Sequence, residues 1–146
     1  MTQMAPMKTA VALLFSLGVF GSSLPQGVGK APDLSNARWI WCPDGGFQGS
    51  GPISYLRRKF RLAAQPEEAT ILITADNGYE LYVNSQRIAA ELDYGGTWNT
   101  VERFRIEHLL TQGMNVVAIR ADNLGGPGGV LAGIYVRTTD GTLGHS

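Results

Sequence analysis

Residues 71–84, ILITADNGYELYVN, constrain the fold more tightly than any other part of the chain. Two runs rich in β-branched and aromatic residues flank Asp76, Asn77 and Gly78. Asp and Asn tolerate turn geometry and Gly admits positive φ, so the chain bends sharply there between two strands. Val83 leads into a second turn at Asn84, Ser85 and Gln86, after which Arg87 and Ile88 resume a strand pattern. The first bend also carries chemistry. Two adjacent oxygen-bearing side chains on a rigid turn suit calcium, which takes hard oxygen ligands, and equally suit sugar hydroxyls. For Asp76 and Asn77, turn formation and ligand binding both stay open.

The same pattern recurs along the chain. Segments 37–42, 53–62, 69–75, 79–83, 87–90, 101–106, 115–121 and 130–138 are short and β-like, with turn residues between them. Residues 107–112 form at most one helical turn, closed by Gly113. About eight such strands predict an all-β fold, an antiparallel β-sandwich or jelly roll. The 19 glycines favour turns over long helices. With 44% hydrophobic and 16% charged residues the chain can build a core. Twelve basic residues balance twelve acidic ones, so nothing electrostatic favours nucleic acid as a partner. Cys42 is the single cysteine, which excludes an internal disulfide and reads as a small packing residue.

Strand parity sharpens the picture. In 55–62, Leu56, Phe60 and Leu62 share a face with Arg58, while Tyr55, Arg57, Lys59 and Arg61 share the other. The basic cluster is therefore a solvated strand face, and Arg58 is a charge on the apolar side that needs partners there. Trp39 and Trp41 share a face of the first segment and read as core or edge packing.

The N-terminal part differs in kind. Lys8 precedes an apolar, uncharged run from residue 9 to 24, followed by a Pro- and Gly-containing stretch. Residues 1–24 are expected to be a signal peptide or a membrane anchor, and residues 25–36 a linker. The uncharged stretch 9–29 is long enough to cross a membrane, so cleavage and anchoring both stay open. The folded domain is expected over residues 37–139, with 140–146 as a tail. The implied location is periplasmic or extracellular, with or without attachment to the cytoplasmic membrane.

ARWIW (37–41), YLRRKFRL (55–62), ADNGYELYVN (75–84), LLTQGMNVVAIRADN (109–123) and GGPGGVLAGI (125–134) occur in an order that resembles the galactose-binding-like β-sandwich. The closest resemblance is to the N-terminal and rhamnose-binding modules of bacterial α-L-rhamnosidases. It implies that Asp76 and Asn77 bind calcium, which in turn contacts sugar hydroxyls. It also implies that the loop 121–129 adds backbone carbonyls and the Asn123 side chain. Asn84-Ser85 departs from the expected Asn-Gly, a difference that concerns only the turn.

Trp98, in the Gly-containing stretch 91–100, offers an indole that can stack on a pyranose ring, and Tyr94 offers a second platform or a hydroxyl. Covering the open end of the sandwich is the alternative role for Trp98. Catalysis finds little support. No nucleophile elbow, phosphate loop or paired histidine motif is present, and Glu80, the carboxylate nearest Asp76, reads as a surface strand residue. The expected function is thus a non-catalytic, exported carbohydrate-binding module for rhamnose- or galactose-like sugars, with calcium as cofactor. The alternative is a membrane-tethered accessory subunit of a larger protein complex, using the sandwich for protein contacts. Pairing in trans with a separately encoded glycosidase is a third possibility.

Overall fold

The computed structural model describes residues 31–41, 53–92 and 98–145. The apolar segment 1–24, Cys42 and Tyr94 lie outside the described residues. Among the described residues there are eight strands: β1 (Ile53–Leu62), β2 (Pro66–Asp76), β3 (Gly78–Val83), β4 (Gln86–Glu91), β5 (Glu102–Arg105), β6 (Gly113–Asp122), β7 (Gly129–Thr138) and β8 (Leu143–His145). They form two four-stranded antiparallel sheets, ordered β1-β6-β3-β4 and β5-β2-β7-β8. This is the all-β sandwich that the alternation of the sequence requires.

Each strand turns one face to the other sheet. Ile71, Ile73 and Ala75 of β2 meet Tyr79, Leu81 and Val83 of β3, with Val117, Ile119 and Ala121 of β6 and Val130, Ile134 and Val136 of β7. Burying one such aliphatic side chain contributes about 1.5–3 kcal/mol. In β1 the expected parity holds: Leu56, Arg58, Phe60 and Leu62 are half-buried, whereas Tyr55, Arg57, Lys59 and Arg61 are exposed. Arg58 sits on the inner face opposite Val117, and burial lowers its guanidinium pKa from the ordinary value.

The bend at Asp76–Gly78 is not a hairpin. β2 ends at Asp76 in one sheet and β3 begins at Gly78 in the other, so Asn77 alone carries the chain between layers. The turn at Asn84 and Ser85 is a true two-residue hairpin, because Val83 pairs with Gln86. Both turn residues have positive φ, 46° and 70°, as a primed turn demands.

Three local expectations are corrected. The segment 37–41 is not a strand and, among the described residues, makes the single bridge Ile40–Val130. Trp41 packs against the core, but Trp39 is 48% exposed. The helical turn is a 3-10 turn at Glu107–Leu109, and Gly113 opens β6 with φ 104° instead of closing a helix. At the two ends of the domain, more of the chain is engaged than a linker and tail imply. Tyr135 Oη donates to the Asp33 carbonyl, Arg103 Nη2 donates to the Pro32 carbonyl at 3.2 Å, and Leu34 lies over Gly133. Residues 31–36 therefore strap the outer face of the second sheet, and β8 adds an edge strand beside β7. Among the described residues no helix is long and apolar enough to cross a membrane.

A buried amide locks the end of the sandwich where the hairpin lies. Asn115 is fully buried; its Oδ1 accepts from Thr111 N and Asn84 Nδ2, each at 2.9 Å, and its Nδ2 donates to Thr111 O at 2.7 Å. Asn84 in turn accepts from Val116 N at 2.9 Å and donates to Leu109 O at 2.8 Å. Asn115→Ala strands several of these groups away from water. It is expected to lower stability by about 2–4 kcal/mol in urea unfolding. Truncating the neighbouring, exposed Met114 to Ala should change it by about 0.5 kcal/mol or less.

Candidate functional site

The bend, the end of β6, the start of β7 and the end of β4 all meet at one end of the sandwich. Asn77 N–H donates to the Asp122 carbonyl at 2.8 Å, and Asn77 Oδ1 accepts from Leu124 N at 2.7 Å. One residue therefore pins the sheet crossing to the loop 123–128. The Asp76–Asn77 peptide bond is cis. Asp76 is half-buried, lies opposite Gly129 in the β2–β7 register, and its carboxylate makes no hydrogen bond or ion pair among the described residues.

Asn123 has a different part. It is buried; its Nδ2 donates to Gly126 O at 3.0 Å and its Oδ1 accepts from Gly125 N at 2.9 Å. Its amide thus shapes the glycine loop from inside. Asp122 is likewise committed, accepting from Arg120 Nη1 at 2.6 Å.

Two indoles flank Asp76. Thr74 and Asp76 are two residues apart on β2 and share the face that points away from the core. Thr74 Oγ1 donates to the Trp98 carbonyl at 2.8 Å, which holds Trp98 beside this row with its side chain 54% exposed. On the other side, Trp39 lies across Gly129. A Cβ there would meet Trp39 Cε3 at 2.7 Å, so the ring needs a residue without a side chain beneath it. The structure thus brings Asp76, Asn77, Trp98 and the Asn123 loop to one end. It adds Trp39, which strand parity alone had assigned to packing. The signal for it was the glycine opposite Asp76, and that pairing is visible only once the register is known.

Beside Trp98, a small cavity of about 100 Å³ is lined by Thr74, Ala75, Tyr79, Glu91, Thr100 and Glu102. Tyr79 is almost fully buried and its Oη donates to Glu102 Oε2. Burial, then the hydrogen bond to Glu102, hold the Tyr79 phenol pKa well above its usual value. Two carboxylates in one recess invite comparison with a glycosidase pair. The recess falls well short of the ~300 Å³ at which ligand clefts begin, so a sugar cannot sit between them.

For calcium, Asp76 offers a carboxylate with no competing partner. Asn77 offers a carbonyl oxygen with one lone pair in use. Asn123 fits less well, being buried with both amide atoms engaged. Among the described residues no cluster of three or more His, Cys, Asp or Glu exists, so backbone carbonyls would have to complete the six to eight oxygens that calcium takes.

Solved structures share this fold. The chain is similar to Streptomyces avermitilis α-L-rhamnosidase, solved in complex with L-rhamnose, at 27% identity and TM-score 0.68 over 80% of this chain and 12% of that one. It is similar to the Pleurotus ostreatus lectin in its apo form at 30% identity and TM-score 0.67, over 79% of this chain and 33% of the lectin. The same lectin in complex with GalNAc matches at 26% identity and TM-score 0.61, over 79% of this chain and 35% of that one. The chain thus spans a third or so of the lectin and about an eighth of the rhamnosidase. No protein-family model and no curated protein matches it. The fold is the galactose-binding-like β-sandwich that the sequence motifs resemble.

The Tyr79 geometry has a titration consequence. Its phenol ionises in the unfolded chain near pH 10 but stays protonated in the folded one. The folded state then binds more protons than the unfolded state. This contribution to stability is complete below about pH 10 and declines as pH rises further. Ultraviolet titration of the folded protein should therefore leave Tyr79 out of the ordinary phenol transition. Tyr79→Phe should leave that folded-state curve unchanged.

Proposed function

We propose that this chain is a non-catalytic, exported sugar-binding module whose site is the end of the sandwich around Asp76. The observation that carries this is the placement of an uncommitted carboxylate between two exposed indoles, Trp39 and Trp98. A pyranose has apolar faces that stack on an indole and equatorial or axial hydroxyls that seek a carboxylate. The likeness to a lectin solved with GalNAc and to a rhamnosidase solved with L-rhamnose supports a galactose- or rhamnose-like ligand.

Asp76 and Asn77, with backbone carbonyls of the loop 121–129, would hold a calcium ion. When bound, that ion supplies a positive centre for vicinal hydroxyls. The protein's own part is to present the Asp76 carboxylate, fix Asn77 through Asp122 and Leu124, and exclude water from one ring face with an indole. Asn123 contributes through the loop that it shapes. Delivery outside the cytoplasm follows from the apolar segment 1–24, with residues 9–29 as the route to any membrane attachment.

Isothermal titration with L-rhamnose, N-acetylgalactosamine and galactose, with calcium and with a chelator, tests both layers. At least one of these sugars should bind, and Asp76→Ala should abolish measurable binding. Trp98→Ala should weaken it about tenfold, equivalent to about 1.4 kcal/mol. Chelation should reproduce the Asp76→Ala loss. Binding that is indifferent to Asp76→Ala contradicts the site, and binding that is indifferent to chelation removes calcium alone.

A second consequence concerns Trp39. Gly129→Ala forces the Trp39 ring off its seat. It should weaken the same binding by several-fold, with a changed tryptophan emission and little loss of stability.

A further inference from the structure

The edge strands of the two sheets, β1, β4, β5 and β8, are not equally defended. β4, β5 and β8 are 6, 4 and 3 residues long, and the β3–β4 register shifts between Leu81 and Tyr82. Short or bulged edges of this kind resist pairing with a further chain. β1 differs. It runs for 10 residues without proline, and its register with β6 is continuous from Ile53–Asp122 to Leu62–Gly113. Among the described residues β6 is its only strand partner. In an antiparallel pair alternate residues turn N–H and C=O to the partner, so the others in β1 present theirs to the open edge.

Charge guards that edge instead. Arg57, Lys59 and Arg61 are exposed on the outer face, roughly 7 Å apart along the strand. They lie opposite Ala118, Val116 and Met114 of β6, and none of the three makes a hydrogen bond or ion pair among the described residues. The carboxylates of this face are taken elsewhere: Glu80 pairs with Arg87, and Asp122 with Arg120. On the inner side Leu56, Phe60 and Leu62 are only half-buried against the core, with Arg58 among them.

We propose that the open edge of β1 takes up an extended acidic segment of a partner protein as an additional strand. Side chains on one face repeat every second residue in both strands, so carboxylates at alternate positions of the segment meet Arg57, Lys59 and Arg61 in step. The intervening apolar side chains lie beside Leu56 and Phe60 and cover their open flank, while main-chain hydrogen bonds run along the edge. A second copy of β1 is the wrong occupant. Antiparallel pairing of two copies about Lys59 sets Lys59 against Lys59 and Arg57 against Arg61, and like charges directly opposite destabilise a sheet. The same three cations therefore exclude self-association and select a partner by sign. None of the residues assigned to the sugar takes part.

Amide hydrogen exchange of the full chain, read by NMR, tests this with a peptide of about eight residues that alternates glutamate with valine or threonine. The peptide should slow exchange at alternate amides of β1 and leave those of β4 unchanged. Lysine in place of glutamate, N-methylation along the peptide backbone, or polygalacturonate in place of the peptide should each remove the effect. Lys59→Glu should weaken the glutamate peptide about tenfold and confer binding of the lysine peptide, with the circular dichroism spectrum of the parent retained. Asp76→Ala should leave the glutamate peptide bound as before, which separates this edge from the sugar site. No added protection in β1, equal protection by the N-methylated peptide or by polygalacturonate, or indifference to Lys59→Glu would overturn the assignment.

Discussion

Everything at the candidate site depends on how Asn77 carries the chain from one sheet to the other. β2 and β3 are consecutive in sequence but belong to different layers, and one residue spans them. That residue donates its N–H to Asp122 and accepts from Leu124, so it ties the crossing to the end of β6 and the loop beyond. The β2–β7 register sets Asp76 beside this crossing, opposite Gly129, and its carboxylate makes no hydrogen bond or ion pair among the described residues. A polar residue at a sheet crossing would be needed for the fold alone. Here it also neighbours Asp76, the carboxylate proposed to meet the ligand.

Much of this was legible in the sequence. Segment 53–62 matches β1 residue for residue, because its alternation and flanking turn residues leave little freedom of register. β2, β3, β6 and β7 were located to within about three residues for the same reason. Asp76, Asn77 and Trp98 were recognisable as a group through residue chemistry and family resemblance. What escaped was set by tertiary pairing. Trp39 sits in irregular backbone, its seat exists because Gly129 lacks a side chain, and only the register Asp76–Gly129 brings that seat beside Asp76. The 3-10 turn at Glu107–Leu109 stops at an extended Leu110, so Gly113 serves the start of β6 instead. β8 is three residues long and carries no alternation to read.

The two ends of the sandwich differ in chemistry although the charges of the chain cancel overall. One end carries Asp76 and, in the small cavity beside Trp98, Glu91 and Glu102. The other carries Arg87, Arg105 and His108, with Arg87 paired to Glu80 and Arg105 to Glu107. Net charge cannot report how these groups are arranged, because the arrangement arises from which strand ends meet. A β-sandwich makes it inexpensive: the core fixes the strands, and the loops and edges remain available for binding.

The most direct measurement is a crystal structure of the chain grown with L-rhamnose and calcium. The sugar should lie at the Asp76 end, with a ring face on Trp98 or Trp39 and a hydroxyl linked to Asp76 directly or through the ion. Sugar bound elsewhere on the molecule, or none bound with L-rhamnose, galactose and N-acetylgalactosamine each tried at a saturating concentration, would contradict the assignment of this end as a sugar site.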